Sequence, residues 1–170
     1  MSDIIRIGGV QYNWNSSITR IDGQPFRGIL EVDWSQKMDV ETVYSQTQDG
    51  VPIGATSGQY AVDSFTFKML REYAEQLKLY LAMTAPGVPP GNRGQIGSYG
   101  LTTFVFQATA SEPLQIGALP VHVDASPCRI IGEKQTSAKG TAALETEFTV
   151  WCQQLRVNGL SMYSPAIPTL

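Results

Sequence analysis

Apolar and polar residues alternate with a period of two along much of the chain. From Leu30 to Tyr44 the even positions read Leu30, Val32, Trp34, Gln36, Met38, Val40, Thr42 and Tyr44, while the odd positions run Glu31, Asp33, Ser35, Lys37, Asp39, Glu41 and Val43. Successive strand side chains point to opposite faces, so this stretch has one apolar and one polar face. Its fifteen residues are long against the ~5–6 of a typical strand. The stretch is either a single long strand or two strands bent about Ser35-Gln36-Lys37, and its length favours two strands of one sheet.

Other strands follow. Tyr60 to Phe67 sets Phe65 and Phe67 against Ser64 and Thr66, and Thr102 to Ala110 aligns Phe104, Phe106, Ala108 and Ala110. Val121 and Val123 alternate with His122 and Asp124, and Pro127 then shifts the parity to Cys128 and Ile130. Leu144 to Val157 alternates until Gln153-Gln154, where a second slip reads as a bulge. One segment has helical spacing instead. Leu70, Tyr73, Ala74, Leu77 and Leu81 recur on one side from about Met69 to Met83, with Arg71 and Glu75 one turn apart on the other. Its last turn is apolar nearly all round, which predicts either extra core or cover by a neighbouring subunit. Pro86-Gly87 ends it. Two long loops, Ser45 to Gly58 and Thr84 to Gly100, interrupt the pattern. The chain reads as one domain over residues 1–170, with extended arms at about 1–8 and 161–170.

Composition narrows the function. Of the 170 residues, 42% are apolar and only 16% charged, against roughly 25% charged in an average soluble domain. A surface so short of charge fits a chain covered by many partners. Twelve basic and fifteen acidic residues give a net charge of −3, the wrong sign for a sequence-independent nucleic-acid binder. The N-terminus has no basic segment followed by an apolar one, and no apolar run reaches the ~20 residues of a membrane span.

Candidate chemistry is sparse. Gly91-Asn92-Arg93-Gly94-Gln95-Ile96-Gly97 superficially resembles a phosphate loop, but it follows a helix and precedes a strand, the reverse of that motif. The single histidine, His122, lies on a polar strand face and reads as solvated. Cys128 and Cys152 fall on apolar faces, as buried free thiols do, and a disulfide formed after release from the cell is the alternative. Glu31, Asp33, Asp39 and Glu41 share one parity with only Lys37 opposing them, a local balance of −3. Three readings of these acids stay open: a solvated face, a carboxylate pair for acid/base chemistry, or a wall facing a polyanion that must not stick.

From Asn13 to Ala82 the chain resembles the tail tube proteins of long-tailed bacteriophages, especially those with contractile tails. The features that carry the resemblance run in order: Ser17-Ile18-Thr19-Arg20-Ile21-Asp22-Gly23, then Ile29-Leu30-Glu31-Val32-Asp33-Trp34-Ser35-Gln36-Lys37, then Thr42-Val43-Tyr44. A long loop with Val51-Pro52-Ile53-Gly54 leads to Thr56-Ser57-Gly58-Gln59-Tyr60, the strand Ser64-Phe65-Thr66-Phe67 and one helix.

The resemblance implies a mainly β fold, an antiparallel sandwich or half-barrel with one flanking helix. Inner sheets would pool into a continuous barrel in a hexameric ring, and stacked rings would form a virion tail tube assembled in the host cytoplasm. It implies self-association, with tail sheath, tape-measure protein and baseplate as partners. DNA would pass through without specific binding. It brings no membrane, no cofactor, no metal and no catalytic residue. On this reading Glu31, Asp33, Asp39 and Glu41 face the lumen and keep DNA from adhering, and Val51, Pro52, Ile53 and Gly54 reach an adjacent ring. The alternatives are a related injection-system or baseplate tube component, a small ligand-binding β-barrel using Tyr12, Trp14 and Trp34, or an enzyme using Asp33 and Asp39.

Overall fold

The computed structural model describes residues 4–44, 52–55, 59–87, 97–136 and 144–162. Strands come first along the chain: β1 (Ile4–Ile7), β2 (Val10–Asn13), β3 (Ser17–Ile21), β4 (Gln24–Phe26), β5 (Ile29–Asp39), β6 (Thr42–Tyr44), β7 (Pro52–Ala55) and β8 (Gln59–Leu70). The helix α1 (Arg71–Met83) separates these from β9 (Phe104–Ala110), β10 (Val121–Thr136), β11 (Glu145–Val157) and β12 (Leu160–Ser161). One large sheet has the order β2-β1-β5-β8-β11-β10-β9-β3-β4, with β12 beside β11, while β6 and β7 pair apart as a small hairpin. All pairs are antiparallel except β1 against β5.

The sheet curls over its own apolar face into a half-barrel. Phe65 of β8 and Phe106 of β9 meet edge to face at 5.2 Å although two strands lie between them in the sheet, and Phe67 touches both Phe106 and Phe148 at 5.3 Å. Bulges supply the curvature. Ile29 pairs with Met69 and Glu31 with Lys68, so Leu30 is the extra residue, and Ile29 and Val32 both reach the core.

The bend expected about Ser35-Gln36-Lys37 is absent. β5 runs straight through those residues, and the irregularity falls on its partner, where Asp63 is left over between the pairs Ser35–Ser64 and Gln36–Val62. A bulge absorbs the twist without ending the ladder, so the strand stops at Val40-Glu41 instead.

The two parity slips are a matched pair. Buried positions shift from Ala125 to Cys128 in β10 and from Cys152 to Leu155 in β11, at the same level, and the strands stay in register through the slip.

The N-terminus also departs from expectation. Residues Ile4–Ile7, expected as part of an arm, form β1 with Ile5 and Ile7 buried. Their alternation is too short to distinguish from an extended tail by pattern alone.

The helix begins two residues later than its periodicity suggests, because Met69 and Leu70 still pair with Thr146 and Glu145. Ala74, Leu77, Leu81 and Ala82 are buried, and Tyr80 meets Phe26 of β4 edge to face at 5.8 Å. Lys78 reaches Glu133 of β10 at 3.0 Å, so α1 spans the concave side from β4 to β10. Glu75 pairs with Lys78 at 2.8 Å. In the last turn Leu77 and Leu81 are core, whereas Leu79 and Met83 stay half exposed. Gly28 lets this helix close on the sheet. It has φ +83°, and a Cβ there would lie 2.8 Å from Tyr73 Cγ.

Candidate functional site

The convex face of the sheet, opposite the core, carries most of its charged residues, Glu133 on the helix side being an exception. Between the buried Ile5 and Ile7 of β1, Arg6 points outward and pairs in register with Glu31 of β5. Glu31 stands opposite Lys68 of β8, Lys68 opposite Glu147 of β11, and Glu147 opposite Lys134 of β10. Directly opposed strand residues share a face. Five strands therefore contribute one row of alternating sign, Arg6–Glu31–Lys68–Glu147–Lys134.

The Glu31 end of the row is the tightest. Lys68 Nζ donates to Glu31 Oε2 at 2.8 Å, and Arg6 Nη1 lies 3.7 Å from Oε1. The Lys68 hydrogen bond holds the Glu31 carboxyl below its usual range, and the same bond raises the Lys68 ammonium. Asp33 moves the other way. Burial raises its carboxyl, and the neighbouring Glu31 raises it further.

The four acids predicted at one parity thus separate. Glu31 and Asp33 lie together in the row's neighbourhood. Asp39 belongs to a second cluster, where Lys37 sits 3.6 Å from Asp39 and 3.5 Å from Asp63. Glu41 lies beyond the end of β5 and is exposed. The expected local surplus of −3 is also reduced, because Arg6, Lys68 and Lys134 arrive from other strands against Glu147 and Asp63. Cross-strand partners of this kind leave no mark in the alternation of a single segment.

Asp33 and Asp39 do not form a catalytic pair. Six residues along one strand put them roughly 20 Å apart, against the ~5–9.5 Å that paired carboxylates need. The aromatic residues of the ligand-binding reading are structural. Tyr12 is buried with its hydroxyl donating to Leu119 O at 2.9 Å, Trp34 packs over Gly8, and Trp14 packs against the core. Trp14 also borders a groove of about 410 Å³ with Ile5, Ile18, Phe26 and Ile29, where β1 and β5 approach β3 and β4.

His122 lies on the solvent-facing strand face that its position predicts, with its side chain 44% exposed, and has a partner at each ring nitrogen. Nε2 lies 2.8 Å from Asp124 Oδ2 and Nδ1 lies 2.7 Å from Thr109 Oγ1, on an open strand face. Within the predicted inter-ring loop, Pro52, Ile53 and Gly54 belong to β7, the returning strand of the β6–β7 hairpin. Val51 lies outside the described residues, as do Gly91-Asn92-Arg93-Gly94-Gln95-Ile96 and residues 163–170.

No protein-family model matches the chain, and no curated protein sequence matches it. Solved structures do. Hcp1 from Flavobacterium johnsoniae superposes with a TM-score of 0.53 at 11% identity, over 87% of this chain and 98% of that one. A chain of the sheath-tube complex of an extracellular contractile injection system superposes with a TM-score of 0.51 at 11% identity, over 85% and 88%. The fold is the one these chains share. A type six secretion system protein has it too, with a TM-score of 0.50 at 10% identity over 86% of this chain and 89% of that one. The expected mainly β half-barrel with one flanking helix is therefore present. The architecture is shared although some nine-tenths of positions differ.

Proposed function

We propose that this chain is a structural subunit of a phage tail tube, forming hexameric rings that stack into a hollow conduit for genome ejection. The observation that carries the reading is the fold shared with a chain of a sheath-tube complex, together with a convex sheet face whose charges largely pair across strands. Such a face suits a bore, because fixed charges held in cross-strand pairs present little net field to a passing polyanion. Glu31 and Asp33, and beyond them Asp39 and Glu41, face the lumen in this arrangement. The β6–β7 hairpin, with Val51, Pro52, Ile53 and Gly54, reaches the next ring. Leu79 and Met83 lie on the side of the subunit away from the sheet and meet a neighbouring subunit or a surrounding sheath. Tape-measure protein and baseplate complete the set of partners, and DNA passes without specific binding.

A tube of a contractile injection system is the second reading, favoured by the injection-system and secretion-system chains among the structural matches. Both readings assign the chain no catalysis. The test is to concentrate the purified protein, or seed it with baseplate, and image it by negative stain. Rings or tubes are expected. A strictly monomeric profile under all these conditions, with no tubes in particles carrying the protein, overturns the proposal.

A further inference from the structure

Cys128 of β10 and Cys152 of β11 stand directly opposite each other in the ladder, with their sulfurs 3.1 Å apart. Both are reduced and buried, at 0% and 3% exposure, and the Cys128 thiol also donates to Ala125 O at 3.2 Å. Twenty-four residues separate them along the chain, so only the matched slips in β10 and β11 bring them to one level on one face. Opposed antiparallel residues have Cα atoms ~4.5–5.5 Å apart, inside the range that disulfides span, and the sulfurs need to approach by only about 1 Å to bond. Neither thiol has a role in the tube reading. We propose that Cys128 and Cys152 are a latent intrachain disulfide site, closed by a small-molecule disulfide when the chain leaves a reducing compartment.

The chemistry balances with one equivalent of oxidant. One cysteine, as its thiolate, attacks a sulfur of oxidised glutathione and expels one glutathione thiolate. The second cysteine sulfur then attacks the mixed disulfide on the protein and expels the other. Two electrons and two protons pass from the cysteines to the oxidant, which leaves as two thiols. The hydrogen bond with Cys152, and then burial, hold the Cys128 thiol protonated, and a protonated thiol is a poor nucleophile. Closure therefore waits for local opening of the β10–β11 ladder, and once closed the bond is shielded from reductant. It would staple two of the longest strands of the sheet, β10 and β11. If the chain is a tube subunit as proposed above, assembled in a cytoplasm and used outside it, it would harden after release.

The test uses the full chain, purified reduced and incubated with oxidised glutathione in native buffer and in sub-denaturing urea. Intact mass should fall by about 2 Da with no glutathione adduct retained, faster in urea than without it. Peptide mapping after alkylation should recover Cys128 linked to Cys152. The oxidised form should melt roughly 5–15 °C above the reduced form. A Cys152→Ser variant should instead retain a single glutathione adduct, and if that variant does not fold, the wild-type peptide map decides alone. Two alkylatable thiols after oxidation and denaturation, or linkage only between chains, overturns the proposal. Closure without rings under the microscope would count against the tube reading and leave the disulfide standing, and rings without closure would do the reverse.

Discussion

Replacing Lys68 with methionine keeps most of the length of the side chain and removes the charge at the centre of the cross-strand row. Lys68 donates to Glu31 at 2.8 Å, and the two side chains are 38% and 21% exposed. A fully exposed pair contributes ~0.2–1 kcal/mol, and a hydrogen bond to a charged group reaches ~1.5–3 kcal/mol when sheltered. This pair sits between those cases, so its loss costs about 1 kcal/mol. Glu31 is then left with Arg6 at 3.7 Å and with Asp33 as a like-charged neighbour. That repulsion adds a few tenths to about 1 kcal/mol. The total, about 1–2 kcal/mol, lowers the midpoint of thermal unfolding by roughly 2–8 °C in a chain of this size.

Circular dichroism melts in about 20 mM and about 0.5 M salt test the electrostatic origin, because the deficit should shrink as screening shortens. The Glu31 carboxyl is lowered in the fold, so its contribution is present above its ordinary value near 4.5 and is lost as the pH falls through the lower folded value. The deficit of K68M should therefore fade in acid. A double mutant with Glu31→Gln should recover about 1 kcal/mol as coupling. A deficit that ignores salt, pH and Glu31 alike would refute the reasoning.

Asp33→Asn should stabilise the fold by about half a kcal/mol at neutral pH. Its carboxyl is raised by burial and by Glu31, so the ionised form carries the cost, and urea titrations should find the gain disappearing as the pH falls below the raised value. Gly28→Ala should destabilise by about 3 kcal/mol, since it combines a left-handed backbone with a clash against Tyr73; adding Tyr73→Ala should return only the clash. Replacing Gln46 to Thr56 with a short Gly-Asn linker removes β7 without touching the large sheet. Dichroism and melting should stay near wild type while tubes fail to elongate, and tubes of normal length would place the stacking contacts elsewhere.

Period-two alternation foretold β8, β9, β10 and β11 because each has one face in the core. Phe65 and Phe67, or Phe104 and Phe106, can alternate with polar residues only in a strand covered on one side. The slips at Pro127 and Gln153-Gln154 were legible for the same reason. What the alternation could not carry was pairing. β1 is four residues long, and its link to β5 exists only through register. The neutralisation of Glu31 by Arg6 and Lys68 was hidden in consequence, as was the meeting of Cys128 with Cys152. The helical period overran its true start because Leu70 matches the helix spacing with Tyr73, Ala74, Leu77 and Leu81 while still pairing with Glu145 as the last residue of β8, next to the buried Met69. Ser35-Gln36-Lys37 misled in the opposite sense. A polar run within a long strand reads as a turn, yet here a bulge at Asp63 on the partner keeps the ladder continuous.

Reconstruction of assembled protein by electron cryomicroscopy tests the central claim most directly. Sixfold rings stacked into a hollow tube are expected, with Glu31, Asp33 and Lys68 on the wall of the bore and Leu79 and Met83 away from it. A tube with Glu31 and Asp33 on its outer surface, or a closed assembly without a central channel, would contradict it.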